Sequence, residues 1–242
     1  MRITNPNITS NLSYPAKREH RAVIVSHPRQ LRKGRLLGTG SQYRVYVIHS
    51  SPDQVVKVPR PIAKHRDSNE DFLGDRFSRS AAEAVIRSGW SKAFPTKIER
   101  HVIVDSRVYD HVLLQDLCKH FLWRLVREAV RGRRWKDVAH LIDRVFDCEL
   151  SAWQSGIFFQ DTKSFFRNFV LRQGEVFAAD FSSCTNSVYL AELWLRSPWS
   201  VDRQRAIILM LGQQQCPPAL FNHVVSRMRW QYNIHQFWYY WK

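Results

Sequence analysis

Three polar clusters in this chain combine residue types and spacings suited to handling phosphate. The first is Leu36-Leu37-Gly38-Thr39-Gly40-Ser41-Gln42-Tyr43-Arg44-Val45, followed by Val55-Val56-Lys57-Val58. Glycines between strands let backbone amides approach a phosphate with no side chain intervening, and a lysine on the next strand can reach the same anion. The second cluster is GIFFQDTKSFFRNFVL, running from Gly156 to Leu171, in which Asp161, Lys163 and Asn168 interrupt apolar surroundings. The third is Ala179-Asp180-Phe181-Ser182. Two carboxylates and an amide, each beside a short apolar run, suit phosphoryl transfer: one carboxylate orients a hydroxyl while the other and the amide hold Mg²⁺ against the phosphates. Taken singly, each residue has a plainer reading. A GxG in a hairpin is commonly an ordinary turn, a strand lysine is commonly solvated, and an isolated Asp or Asn is commonly a turn former or helix cap. Their order along the chain favours the chemical reading.

Positioning such residues needs a sheet followed by helices. Residues 1–35 hold eight Lys and Arg against one acid and little apolar periodicity, and read as a loosely ordered basic arm. Structure is expected from Leu36, with Leu36–Tyr46 and Gln54–Val58 as the two strands of a hairpin about the polar turn HSSPDQ. Beyond a polar stretch, Ser78–Ser88 reads as a helix through Ala81, Ala82, Ala84, Val85 and Ile86, with Gly89 placed where a helix stops. His101–Ser106 and Val108–Gln115 alternate as strands, whereas Phe121–Arg131 and Val138–Trp153 carry apolar residues at helical spacing. Phe169–Leu171 and Val176–Ala179 are short strand-like runs around the turn RQGE, and Val188–Lys242 is mostly helical, broken at Pro198 and Pro217–Pro218. This order predicts an α+β chain with an N-terminal sheet-rich lobe over 36–117 and a C-terminal helical lobe over 118–242.

In sequence order, the GxG, the strand lysine, a helix glutamate, D-x-K…N and D-F resemble the protein-kinase-like superfamily across roughly residues 36–185. The resemblance implies a two-lobed fold, a small β-rich N-terminal lobe above a reduced helical C-terminal lobe, with ATP and Mg²⁺ in the cleft. It implies Gly38 and Gly40 as the phosphate loop, Lys57 as the α/β-phosphate lysine, Glu83 as its ion-pair partner, and Gln115–Leu117 as the hinge beside adenine. By the same resemblance Asp161 is the hydroxyl-orienting base, Lys163 a γ-phosphate contact, and Asn168 and Asp180 the metal ligands.

The chain also departs from the family pattern. Tyr43 stands at the third loop glycine, Phe159-Gln160 replaces the His-Arg before the catalytic aspartate, and Asn168 follows Asp161 by seven positions where the signature has five. No A-P-E follows Asp180, and no activation segment separates Phe181 from the helical run near Val188–Arg196, so the surface that holds a peptide in protein kinases is missing. This compact form is similar to short bacterial kinase-like proteins, including those that phosphorylate heptose or related sugars of the lipopolysaccharide core. An envelope glycolipid sugar or a small molecule is then the expected acceptor. A Ser/Thr protein kinase, a pseudokinase-like binding protein and a basic nucleic-acid-binding protein remain the alternatives.

Charge and composition bear on partners. Of 242 residues 44% are hydrophobic, which argues against disorder, and 37 Lys and Arg against 21 Asp and Glu give a formal charge of +16. Such a surface attracts a nucleotide, a nucleic acid or an acidic lipid. Residues 119–136 hold seven basic side chains with Glu128 as the one acid, and residues 203–242 hold five basic residues and no acid. Some of Arg131, Arg133, Arg134, Arg227 and Arg229 are expected to form a continuous patch on the helical lobe. The tail RWQYNIHQFWYYWK suits a membrane interface, although the same rings could instead close the bottom of a small helical lobe. Nucleic acid is less favoured for want of a recognisable motif. Cys118, Cys148, Cys184 and Cys216 are widely spaced with no CxxC, which speaks against a zinc ribbon or a disulfide framework and fits a reducing cytosol. The N-terminal residues lack an apolar signal core, and the run Ala206–Leu211 is far below the roughly 20 residues needed to cross a bilayer. The expectation is a cytoplasmic protein, peripheral at the inner membrane face.

Overall fold

The computed structural model describes residues 28–40, 42–60, 71–159, 166–181, 184–196, 211 and 216–241. Within them the chain is α+β. Six strands form one sheet: β1 (Gln30–Leu31), β2 (Lys33–Thr39), β3 (Tyr43–Ile48), β4 (Ser51–Pro59), β5 (Thr96–Val104) and β6 (Arg107–Asp116), in the spatial order β1-β5-β6-β4-β3-β2. All neighbours are antiparallel except β1, which lies parallel to β5. Two-residue turns close the long hairpin β5–β6, where Asp105 and Ser106 both adopt positive φ (47° and 66°), the backbone twist that right-handed strands favour.

The expected N-terminal hairpin is corrected in two ways. Leu36–Tyr46 is two strands rather than one, because the chain reverses after Gly40, whose amide donates to Tyr43 O at 2.8 Å. The boundary of the basic arm also moves: β1 and the start of β2 fall inside residues 1–35, and β1 is held by Ile103 N donating to Arg29 O and Asp105 N to Leu31 O. Leu31 is buried there, and an apolar side chain with a parallel partner strand outweighs the polar composition around it. Residues 1–27 of that arm lie outside the described residues.

Strand alternation gives the sheet two different faces. Val56 and Val58 of β4 join Val102, Val104, Val112 and Leu114 in one small core, while Leu113 belongs to the main core on the other side. The main core holds α1 (Asp71–Ser88), which follows β4, and the helical part of the chain. Gly89 ends α1 with φ +66°, as its position suggests.

Past the sheet come α2 (Leu122–Arg131), α3 (Trp135–Gln154), β7 (Phe158–Phe159), the hairpin β8 (Phe169–Arg172)–β9 (Glu175–Ala178) and β10 (Cys184–Thr185), which pairs with β7. Then follow α4 (Val188–Arg196), α5 (Pro218–Gln231) and α6 (Ile234–Tyr240). The long helix α3 is the axis of this part: Val138, Ile142, Val145, Phe146, Ala152 and Trp153 are buried among α2, α5, α6 and β9. The segment between α1 and β5 ties the sheet to this axis. Trp90 Nε1 donates to Ser151 Oγ at 2.8 Å, and Lys92 O and Phe94 N exchange hydrogen bonds with Ala178 of β9. Among the described residues no helix is long and apolar enough to cross a membrane.

Candidate functional site

Lys57 stands mid-strand on β4, in register with Val45 of β3 and Leu113 of β6. Alternation turns it to the face opposite Val56 and Val58, so a cation lies buried beneath the sheet. Its Nζ donates to Ala179 O at 2.7 Å. The same oxygen accepts from Gln115 Nε2 at 3.0 Å, and that amide also donates to Thr96 Oγ1 at 2.7 Å. Side chains from β4 and β6 therefore fix one backbone carbonyl just past β9. Burial pushes the Lys57 ammonium below the ordinary lysine value, and the Asp180 carboxylate opposes that shift.

Asp180 reaches this position through the β8–β9 hairpin. Gln173 and Gly174, with φ of 51° and 81°, make the tight turn that brings β9 back along β8. Asn168 O then accepts from Ala179 N at 2.7 Å and Asp180 N at 3.3 Å, so the two sequence-predicted metal ligands become neighbours. Phe181, 1% exposed, anchors the chain on the far side of Asp180. Lys57, Asn168 and Asp180 are thus brought to one place from β4, the start of β8 and the end of β9.

Glu83 does not join them. Its Oε1 accepts from Arg79 Nε and from Arg100 Nη2, each at 3.0 Å, and the Arg79 hydrogen bond is the main reason its carboxyl sits below the usual range. The physical reason is helical register. At about 100° per residue, Ala81, Ala82 and Val85 take the inward stripe of α1 and leave Glu83 across the helix from it. Lys57 is partnered by the Ala179 carbonyl in place of that glutamate.

Gln115 is likewise not a free hinge residue, since its side chain is buried and spent on Thr96 and Ala179. Of the following hinge residues, Leu117 donates its amide to Asp53 O at 2.6 Å. The connection from β6 to α2 borders a cavity of about 520 Å³ with Asp53, Phe94, Leu171 and Arg172, which none of Lys57, Asn168 and Asp180 lines.

Gly38 and Gly40 lie at the β2–β3 reversal. A Cβ at Gly38 would meet nothing within 4 Å, so packing inside the protein does not demand glycine there. Gly40 uses its amide on Tyr43 O and its carbonyl on Arg60 Nη1, whereas the space beside Gly38 is open. Tyr43 is buried, its hydroxyl 3.3 Å from His111 Nε2. Asp161 and Lys163 lie outside the described residues.

Among the described residues no group of three or more His, Cys, Asp or Glu converges as a metal cage. Asp180 and Asn168, neighbours through their backbones, each carry a hard side-chain oxygen donor. That set fits Mg²⁺, which is held by one or two carboxylates together with substrate phosphates and waters. Sequence reasoning missed the Ala179 carbonyl as the hub of the site; a backbone oxygen leaves no mark in residue types. No family model matches the chain, and no curated protein matches it.

Proposed function

We propose that this chain is an ATP- and Mg²⁺-dependent phosphotransferase of protein-kinase-like, two-lobed plan, acting on a hydroxyl of a glycolipid sugar or small molecule. The observation that carries the reading is the convergence of Lys57 with Asp180 and Asn168, more than a hundred positions apart in the chain, around Ala179 O. Supporting it are a helix inserted in the chain between β4 and β5 of the antiparallel run β2-β3-β4-β6-β5, and a short β8–β9 hairpin that delivers an Asp-Phe pair beneath the sheet.

Bound Mg²⁺ would supply charge neutralisation on the β- and γ-phosphates. The chain's own groups do the rest. Lys57, released from Ala179 O, would bind phosphate oxygens; Asn168 and Asp180 would hold the metal. Asp161 would take the proton of the acceptor hydroxyl, and Lys163 would contact the γ-phosphate. Turnover of ATP by the full chain with Mg²⁺ tests this directly. Asp161→Asn should lower turnover by roughly 10²- to 10⁴-fold while ATP still binds, and unchanged turnover would remove Asp161 from the mechanism.

One observation favours a second reading, a nucleotide-binding scaffold of low activity: Lys57 is held by a carbonyl and Glu83 is committed to two arginines. Nucleotide binding without any turnover would support the scaffold.

A further inference from the structure

The aromatic tail has two fates in the fold. Phe237 is fully buried against Trp153 and Phe158, and Tyr232 is buried against Phe146, so part of the tail does close the helical core. The other part faces outward: Trp238 is 49% exposed, Tyr239 77% and Trp230 38%. Trp230 and Tyr239 are joined through Tyr240, which packs edge-on with both, while Trp238 rests on the buried Phe237. On the adjoining helix α4, which packs against α6, Tyr189 and Leu193 are one turn apart and exposed at 71% and 52%. Large exposed apolar side chains on helices that pack on one another are the kind of surface that serves as an interaction site.

Charge narrows the partner. Arg227 lies over the Trp230 ring but is paired with Asp147 of α3, as His223 is with Asp143, whereas Arg229 is exposed and no acid occurs in residues 203–242. A second copy of a chain of charge +16 would bring like charges together around the same rings, whereas an anionic surface would be attracted. Unpaired bases need open ring faces, yet the Trp230–Tyr240 and Tyr239–Tyr240 pairs meet edge to face at 70° and 83°, so each contact covers one ring face with the edge of another ring. Trp and Tyr with neighbouring Arg suit the headgroup region of a bilayer, where an amphipathic ring keeps its polar atom wet and buries its apolar edge.

We infer that the exposed aromatic face of α5 and α6, together with Tyr189 and Leu193 of α4, docks the protein on an anionic lipid bilayer. This goes beyond the phosphotransferase reading and does not rest on it. The basic residues named for a patch fall into two groups. Arg134 and its neighbours at the α2–α3 turn stand about 20 Å along α3 from Asp147, the residue that pairs with Arg227. The docking face therefore depends on its rings and on Arg229 rather than on a continuous arginine patch.

Co-sedimentation of the full chain with phosphatidylcholine vesicles, and with vesicles in which about a third of the lipid is phosphatidylserine, reads the proposal. The chain should be recovered on the anionic vesicles, and recovery should fall as salt rises. Trp238→Ala with Tyr239→Ala should weaken the partition by about tenfold or more, and Arg229→Gln by about fivefold. Both rings are exposed, so the melting temperature should hold; Tyr239→Ser alone serves as a milder variant should the pair fail to fold. No recovery on either vesicle, equal recovery on both, or undiminished binding by the aromatic variants would overturn the inference. Binding of a single-stranded oligonucleotide, or a concentration-dependent dimer, lost in those variants without any vesicle binding would overturn it too and reassign the face.

Discussion

A buried lysine facing a carbonyl is an unstable economy unless an anion arrives. Lys57 is desolvated, and among the described residues its ammonium donates to the neutral oxygen of Ala179, with Asp180 nearby. Its folded-state pKa lies below the ordinary 10.5, so between that lowered value and 10.5 the unfolded chain binds the extra proton, and the stability of the fold rises with pH across that window. Below the window the charged form is a constant deficit. Lys57→Met should therefore leave the melting temperature unchanged or raised while weakening ATP binding by about tenfold or more, as expected when a charged hydrogen bond to phosphate is lost. Phosphate favours the ammonium, so at pH values inside that window nucleotide binding should take up a proton, and affinity should fall as pH climbs through it; calorimetry in buffers of different ionisation heat measures this. Glu83→Gln should leave nucleotide affinity unchanged and cost under about 1 kcal/mol, because it breaks only partly exposed pairs with Arg79 and Arg100. At this scale the meeting of Lys57, Asn168 and Asp180 was legible from residue type and order. The roles of Glu83 and Gln115 were not, since they turn on helix register and on a backbone carbonyl.

At the scale of elements, long periodic segments were legible and short ones were not. The helices α2 and α3 follow the three- and four-residue apolar spacing closely, and the β8–β9 turn is marked by Gln173-Gly174. Helix α1 begins at Asp71, ahead of the expected Ser78, because its first turns lack the alanines that signalled the rest. The strand β1 escaped notice because two residues carry no periodicity, and the pair Gln30–Leu31 is stable only through its partner β5. The last helix shows the same dependence. At seven residues α6 is too short to hold alone, and it is fixed by its Asn233 cap and by Phe237 packed on Trp153, Phe158 and Trp241. Phe237→Ala should cost about 3–5 kcal/mol in urea denaturation. A loss below about 1 kcal/mol would mean that α6 is not docked as described.

Across the whole molecule, a sheet that buries one lysine is joined to a helical unit that presents one aspartate beside one asparagine. The joint is the α1–β5 segment, pinned by Trp90 to α3 and by Lys92 and Phe94 to Ala178. Because the same short stretch from Ala178 to Phe181 carries that joint, the Lys57 contact and Asp180, anything that binds both Lys57 and Asp180 should stiffen the union of sheet and helices and raise the melting temperature. The central claim is that this place binds a magnesium nucleotide. Calorimetric titration of the full chain with ATP, with and without Mg²⁺, on the parent chain and on Asp180→Asn, tests it most directly. The account predicts ATP binding that tightens with Mg²⁺ in the parent and loses that magnesium dependence in Asp180→Asn. Absence of ATP binding, or a magnesium effect untouched by Asp180→Asn, would contradict it.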